Sequence, residues 1–292
     1  MDIVKSGSSI IVNSKFQEAS KLIPDESVDL VIADWPFNKG IVDATMSRLI
    51  ADGLKQTHRI LKPNGTIISV HYLEPNFHVW KEADYWGLNL GDSITMLRHP
   101  MKKMKDRLAY ETLSILVFHR GELSKRTLNI ARRSIGGNLI YSKEVWKVET
   151  DFWGDTRFRN GYWRKVSGDN VPEAMPESCV EKLLNIYCPS KGLVVDFFGG
   201  AGTIPTVCNK LGLRCISTEI LPHRFQIIKR RLYQTNQELI AYSKDLLDKA
   251  LEAINITGPY TKGDSQWQEN KEKAVGSMQP ERTSTLVGQV ER

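Results

Sequence analysis

The feature that most constrains the fold is a pair of short apolar runs, each ending abruptly in residues that carry chemistry. Val28-Asp29-Leu30-Val31-Ile32-Ala33 stops at Asp34-Trp35-Pro36-Phe37, and Leu193-Val194-Val195-Asp196 runs into Phe197-Phe198-Gly199-Gly200-Ala201-Gly202-Thr203. Short β-branched runs of this kind suit strands buried on both faces, as in a parallel sheet covered by helices. Helical patterns lie between them. One spans Asp43 to Ile60. A second opens at Pro176, with Val180, Leu183, Leu184 and Tyr187 on one face. A third follows the glycines and ends at Gly212. The alternation predicts an α/β fold with a mostly parallel sheet.

Further elements fit this reading. Ser9–Val12, Thr66–Val70, Asp92–Leu97, Ser114–Phe118 and Arg214–Ser217 read as strands. Phe16–Leu22 reads as a short helix, and Pro222 to about Lys249 as mostly helical. Lys62-Pro63-Asn64-Gly65 has turn chemistry. Regular periodicity fades between about 120 and 174, where Arg, Gly and aromatic residues such as Trp146, Trp153, Tyr162 and Trp163 collect. The division expected is a catalytic domain over 1–256 and a polar, poorly ordered tail over 257–292. Within the first lies a basic loop and an insertion at 98–175.

The chain of 292 residues is long enough for one large domain with a full core. No apolar run reaches the ~20 residues that span a bilayer, and the start of the chain lacks a signal-peptide core. The expected location is therefore cytoplasmic, with no membrane partner. Cys179, Cys188, Cys208 and Cys215 form no CxxC pair and no zinc-ligand spacing, so they read as buried thiols, and no metal is expected. The net charge of +6 is modest, but its distribution is not. Between Arg98 and Arg133 stand ten basic and three acidic residues. Arg98, Lys102, Lys103, Lys105, Arg107, Arg132 and Arg133 form a block suited to phosphate contacts, with a solvated charged face as the plain alternative.

The glycine-rich turn follows a buried strand and precedes a helix. Glycines there let backbone approach a ligand at the carboxyl edge of an open sheet. The dinucleotide fingerprint is absent, because Pro205 occupies the third glycine position. Glu219 closes the next strand, sixteen residues after Thr203, and is placed to accept the hydroxyl protons of a ribose. At the other strand end, the Asp34 carboxylate and the Trp35 carbonyl can act as paired acceptors for an amino group on a nucleobase. They would draw its lone pair out of the ring and aim it at an electrophile. Pro36 holds Trp35 extended, and Phe37 can stack on a base turned out of the duplex.

These residues resemble the amino-methyltransferases of DNA modification, whose catalytic motif is Asp/Asn/Ser-Pro-Pro-Tyr/Phe. The family's cofactor motif, Asp-Pro-Phe-x-Gly-x-Gly-Thr, is matched by Asp196 to Thr203 except at Phe197. The catalytic motif precedes the cofactor motif, as in the circularly permuted β group. Leu61-Lys62-Pro63-Asn64-Gly65 resembles the family's turn after its first long helix. The resemblance covers about 10–235. It implies a Rossmann-like methyltransferase fold with a mostly parallel seven-stranded sheet, S-adenosylmethionine as cofactor and double-stranded DNA as partner. It implies Asp34, Trp35, Pro36 and Phe37 as catalytic residues. Asp196, Phe198, Gly199, Gly200, Gly202, Thr203, Glu219, Asn13 and Pro176 are implied as cofactor-binding. A homodimer and a cognate restriction endonuclease are candidate partners.

Two positions depart from the family pattern. Trp35 replaces the usual first proline, and Asn13-Ser14 replaces the Gly-Asp after the first strand. C5-cytosine chemistry is excluded, because no cysteine precedes Cys179 near the catalytic strand. An initial Asp in this family marks N6 of adenine as the target. N4 of cytosine, and a catalytically weak paralogue that binds DNA or cofactor as a partner subunit, are the alternatives.

Overall fold

The computed structural model describes residues 1–36, 42–71, 75–97, 112–122, 145–147, 175, 177–237, 240–242 and 251. The strands are β1 (Asp2–Ser6), β2 (Ser9–Asn13), β3 (Val28–Asp34), β4 (Leu61–His71), β5 (Leu88–Leu97), β6 (Thr112–Arg120), β7 (Val145–Lys147), β8 (Leu193–Asp196), β9 (Arg214–Glu219) and β10 (Ile240–Tyr242). Among the described residues, six helices of five residues or more join them: α1 (Phe16–Ser20), α2 (Ala44–Ile60), α3 (Asn76–Tyr85), α4 (Glu177–Tyr187), α5 (Thr203–Lys210) and α6 (Pro222–Asn236).

All ten strands form one sheet in the order β10-β1-β2-β9-β8-β3-β4-β6-β5-β7. The seven central strands, β2 to β5 in that order, make the expected Rossmann-like sheet. Five run parallel from β2 to β4, and β6 is antiparallel between β4 and β5. The expected count of seven is extended at both edges. β1 and β10 add an antiparallel pair beside β2, and β7 pairs parallel with β5.

Both faces of the sheet are covered, which is why β3 and β8 are apolar at almost every position. Val31 and Ala33 point into a core shared with Phe16 of α1, Met46, Ile50 and Leu54 of α2, and Val79 of α3. Leu30, Ile32 and Val194 point to the other face, against Val180, Leu183 and Leu184 of α4 and Ile204 and Val207 of α5. Val4 and Ile11 meet Phe225, Ile228 and Leu232 of α6. The Asp43 side chain caps α2 by accepting the Met46 N–H at 2.8 Å.

Three details differ from the expectations. The turn at Lys62-Pro63-Asn64-Gly65 is a break in register within β4: Val28 pairs with Leu61, but Leu30 pairs with Thr66. Asn64, at φ 69, lets the extra residues loop out. The helix from Pro222 stops at Asn236. There Gln237 turns left-handed (φ 54) and its N–H donates to the Tyr233 carbonyl, after which β10 begins. In the 98–133 basic run, the strand expected at Ser114–Phe118 is present as β6 and extends to Thr112–Arg120, and Arg120 is spent within the fold. It donates to the Leu61 carbonyl and pairs with Glu26 at 2.7 Å. The 257–292 tail lies outside the described residues.

Candidate active site at the carboxyl edge of the sheet

The parallel strands β2, β9, β8 and β3 end side by side, in register: Asn13 pairs with Glu219, Asp196 with Ser217, and Ile32 with Asp196. β8 leads through α5 to β9 on one side, and β3 leads through α2 to β4 on the other. The chain thus winds in opposite directions from β8 and β3, which makes their carboxyl ends a topological switch point. Crevices at such points are where open α/β sheets bind ligands. Asp34 ends one of these strands and the glycine-rich turn begins at the other.

The three glycines of the turn do different work. A Cβ on Gly199 would meet Ile228 Cδ1 and Ser217 Oγ at 2.8 Å, and one on Gly202 would meet Ile228 Cγ2 at 3.0 Å. Those two are small because α6 packs closely behind them. Gly200 is different: a Cβ there meets nothing nearer than the Phe198 carbonyl at 3.8 Å, and its φ is 52°. It is glycine for its backbone conformation, and the space beside it is open to a ligand. Its N–H donates to Glu219 Oε2 at 2.8 Å, while Glu219 Oε1 accepts the Leu221 N–H at 2.8 Å. Each carboxylate oxygen keeps a second acceptor site, so two ribose hydroxyls can be accommodated. Asn13 donates from Nδ2 to the Glu219 carbonyl at 2.7 Å, pinning the end of β9. The edge therefore presents an open glycine position beside a carboxylate with acceptor capacity to spare for a pair of hydroxyls.

Asp196 is fully buried. Its Oδ1 accepts the Phe198 N–H at 3.1 Å and its Oδ2 the Ser217 hydroxyl at 2.7 Å. Burial nevertheless pushes its pKa up to about 7, outweighing those two bonds, with Asp34 and Glu219 adding repulsion. Asp34 also raises the thiol of Cys179, which burial pushes to about 12. Asp34 is itself half-buried. Its electrostatic neighbours place it on the α4 side of the sheet.

Trp35 points the other way, as strand alternation requires. Its indole is 3% exposed and lies in the core beneath α2. Nε1 donates to Ser69 Oγ at 2.8 Å, and the ring packs against Phe198 at 5.4 Å between centroids. Phe198 in turn meets Phe16 at 5.5 Å, and Phe16 stacks on Phe197 at 4.8 Å. The two positions where aromatic residues replace the family's prolines, Trp35 and Phe197, thus belong to one aromatic cluster. Each also regains a backbone donor that proline lacks: Trp35 N–H reaches the Val70 carbonyl at 3.3 Å and Phe197 N–H the Ile32 carbonyl at 3.4 Å. The indole is thus part of the core, not of the exposed strand end.

The structure brings together Asn13, Asp34, Trp35, Pro36, Asp196, Phe198, Gly199, Gly200, Gly202, Thr203 and Glu219. Phe37, Pro176 and the seven basic residues of the expected DNA contact lie outside the described residues. The sequence reading missed Arg231, a buried residue of α6 that donates to the Ala201 carbonyl at 2.9 Å and to Thr203 Oγ1 at 3.0 Å. A cation midway along a helix carries no local signal of such a role.

Residues 28–230 match the family described as DNA methylase, the N6/N4 group. The chain belongs to this DNA methylase family. It is 26% identical over 279 residues to the type II methyltransferase M.BamHI of Bacillus amyloliquefaciens, covering 85% of this chain and 62% of that relative. The chain thus spans less than two thirds of M.BamHI. It is 23% identical to the type II methyltransferase M2.DpnII of Streptococcus pneumoniae, covering 78% of this chain and 91% of that one. Among solved structures it resembles the cytosine-N4-specific PvuII DNA methyltransferase, with a TM-score of 0.61 over 86% of this chain and 93% of that one at 16% identity. It also resembles M1.HpyAVI in complex with S-adenosylmethionine, with a TM-score of 0.55 over 76% of this chain and 98% of that one at 17% identity. At these identities the structural likeness speaks for the fold.

Proposed function

We propose that this DNA methylase transfers a methyl group from S-adenosylmethionine to the exocyclic N6 amino group of adenine in double-stranded DNA. The observation that carries the reading is the pairing of an acidic strand end, Asp34, with the glycine turn and Glu219 across a single switch point. The same layout supports the cofactor. Gly200 leaves room for it, and Glu219 would accept its ribose hydroxyls. When bound, S-adenosylmethionine supplies an electrophilic methyl.

The chain's own residues prepare the nucleophile. An exocyclic amino group is a weak nucleophile while its lone pair is shared with the ring. The Asp34 carboxylate and the Trp35 carbonyl accept hydrogen bonds from its two N–H groups and turn the lone pair toward the cofactor. Because both acceptors sit on one rigid strand end, their alignment is set before the base arrives, which is where such positioning gains its effect. Phe37 stacks on the extruded base, and the basic block from Arg98 to Arg133 holds the phosphates. Base choice rests on Asp34, since an initial acid in this family's motif accompanies adenine.

Mass spectrometry of nucleosides from DNA incubated with the protein and S-adenosylmethionine tests the proposal. N6-methyladenine is the expected product. N4-methylcytosine would keep the amino-group chemistry and overturn the base. No methylated nucleoside from DNA of varied sequence, with cofactor binding intact, would favour a binding subunit.

A further inference from the structure

The glycine turn is intrinsically loose. Gly200 and Gly202 both have positive φ, and flexible positions of this kind cost the most entropy to fix. Several bonds hold its ends: Gly199 N–H donates to the Thr218 carbonyl at 2.7 Å, and Thr206 Oγ1 donates to the Gly202 carbonyl at 2.7 Å. Gly202 N–H donates to the Gly199 carbonyl at 2.7 Å, and Gly200 N–H to Glu219. A charged restraint reaches it from α6. Arg231, 3% exposed on α6, reaches beneath the turn. Its Nη1 donates to the Ala201 carbonyl and to Thr203 Oγ1, the atoms that bracket left-handed Gly202. Its Nη2 donates to Glu177 Oε1 at 2.7 Å, and Glu177 Oε2 accepts Lys210 Nζ at 2.5 Å. Burial works against ionisation of Glu177, but the bonds from Lys210 and Arg231 hold its pKa below the ordinary value. The pair is therefore charged, and it ties α6, the turn and the first residue of α4 together.

A buried arginine is costly unless paired, and replacing such a pair with apolar residues is often neutral for stability. A charged clamp here is better accounted for by what it fixes. We propose that Arg231, with Glu177 as its counter-charge, is a positioning residue for cofactor binding, holding the glycine turn in its bound shape before the cofactor arrives. This rests on the reading of the turn as the S-adenosylmethionine site. Arg231 lies behind the turn, bonded to a carbonyl and a hydroxyl of the protein, so it acts through them. Its effect is preorganisation, which lowers the ordering cost of binding.

The test uses the full chain with Arg231→Gln, Arg231→Lys, Glu177→Gln and Gly200→Val, titrated with S-adenosylmethionine well below each variant's melting temperature. Arg231→Gln should raise the cofactor Kd by about tenfold or more, and KM for the cofactor with it. The kcat at saturating cofactor and the Kd for DNA should stay close to wild type. Arg231→Lys, which keeps the charge and a donor, should recover part of the loss. If Arg231→Gln does not fold, Glu177→Gln carries the test, since that side chain is nearer the surface and its loss frees the guanidinium from its anchor. A lowered melting temperature with cofactor Kd unchanged in the folded variant would overturn the proposal. If Gly200→Val also leaves cofactor binding intact, the site reading itself fails. If Gly200→Val abolishes binding while Arg231→Gln and Glu177→Gln do not change it, only the clamp fails.

Discussion

The indole of Trp35 occupies the space in which a side chain on Gly53 would stand: a Cβ built there would lie 2.5 Å from Cη2 and 2.9 Å from Cζ3 of the ring. The bulky residue that follows β3 and the glycine in the middle of α2 are thus one packing solution. Gly53→Ala gains helix propensity, about 1 kcal/mol, but forces a methyl group into a filled core, which costs roughly 1–3 kcal/mol. Net destabilisation is expected in denaturant unfolding. Combining it with Trp35→Phe, which removes the ring that collides, should cost less than the two changes summed, with a coupling of roughly 0.5–3 kcal/mol. Additive costs would count against the contact.

Asp34→Ala should lower methyl transfer by about 100-fold or more, the scale on which a positioned acceptor acts. The cofactor Kd should stay within a few-fold, because the Gly200 conformation and the Glu219 carboxylate are left unchanged. Single-turnover rates with pre-bound cofactor, together with calorimetric titration, separate the two. Retained activity would remove Asp34 from the mechanism.

The parts of this site that were legible in the sequence are those set by local chemistry. β3 and β8 are apolar because both faces are buried, and the glycine turn shows itself because two of its glycines adopt conformations that other residues avoid. What escaped reading depends on partners far along the chain. β1 and β10 are short edge strands that exist by pairing with each other and with β2. α3 buries only Val79 and Ala83 among its ten residues, too few to make a helical stripe. The orientation of Trp35 follows from strand alternation, but its meaning depends on Gly53, Ser69 and Phe198 converging from three other elements.

Asp196 should give the protein a pH signature near neutrality. Its pKa is raised by burial to about 7, so the folded chain holds a proton that the unfolded chain, with a carboxylate of ordinary pKa, releases. The stabilisation from this group is full below the unfolded pKa, is lost as pH rises through about 7, and is absent above it. The slope can reach about 1.4 kcal/mol per pH unit. Glu177, whose pKa is lowered, acts in the opposite sense and at more acidic pH. Urea unfolding between pH 5 and 8 avoids Glu177. His58, whose pKa burial lowers, contributes the opposite slope in that range, so the comparison with Asp196→Asn is what isolates Asp196. Stability should fall over that range in the wild type, and the fall should flatten in Asp196→Asn. An unchanged slope in the variant would assign the titration elsewhere.

The basic run from Arg98 to Arg133 contains residues of two kinds, which salt can separate. Arg120 belongs to it in sequence, but its guanidinium is engaged with the Leu61 carbonyl and Glu26. Lys102, Lys103 and Lys105 belong to the block proposed to meet phosphates. Each lost phosphate contact lowers the magnitude of the slope of log K against log salt by about 0.9 on duplex DNA. Replacing the three lysines with glutamine should therefore weaken binding and flatten the slope by up to about 2.7. Arg120→Gln should lower the unfolding midpoint and leave the slope unchanged. Fluorescence anisotropy on a duplex over a range of salt concentrations measures both. Equal flattening by the two variants would mean net charge alone governs binding; flattening by neither would move the DNA contact away from this run.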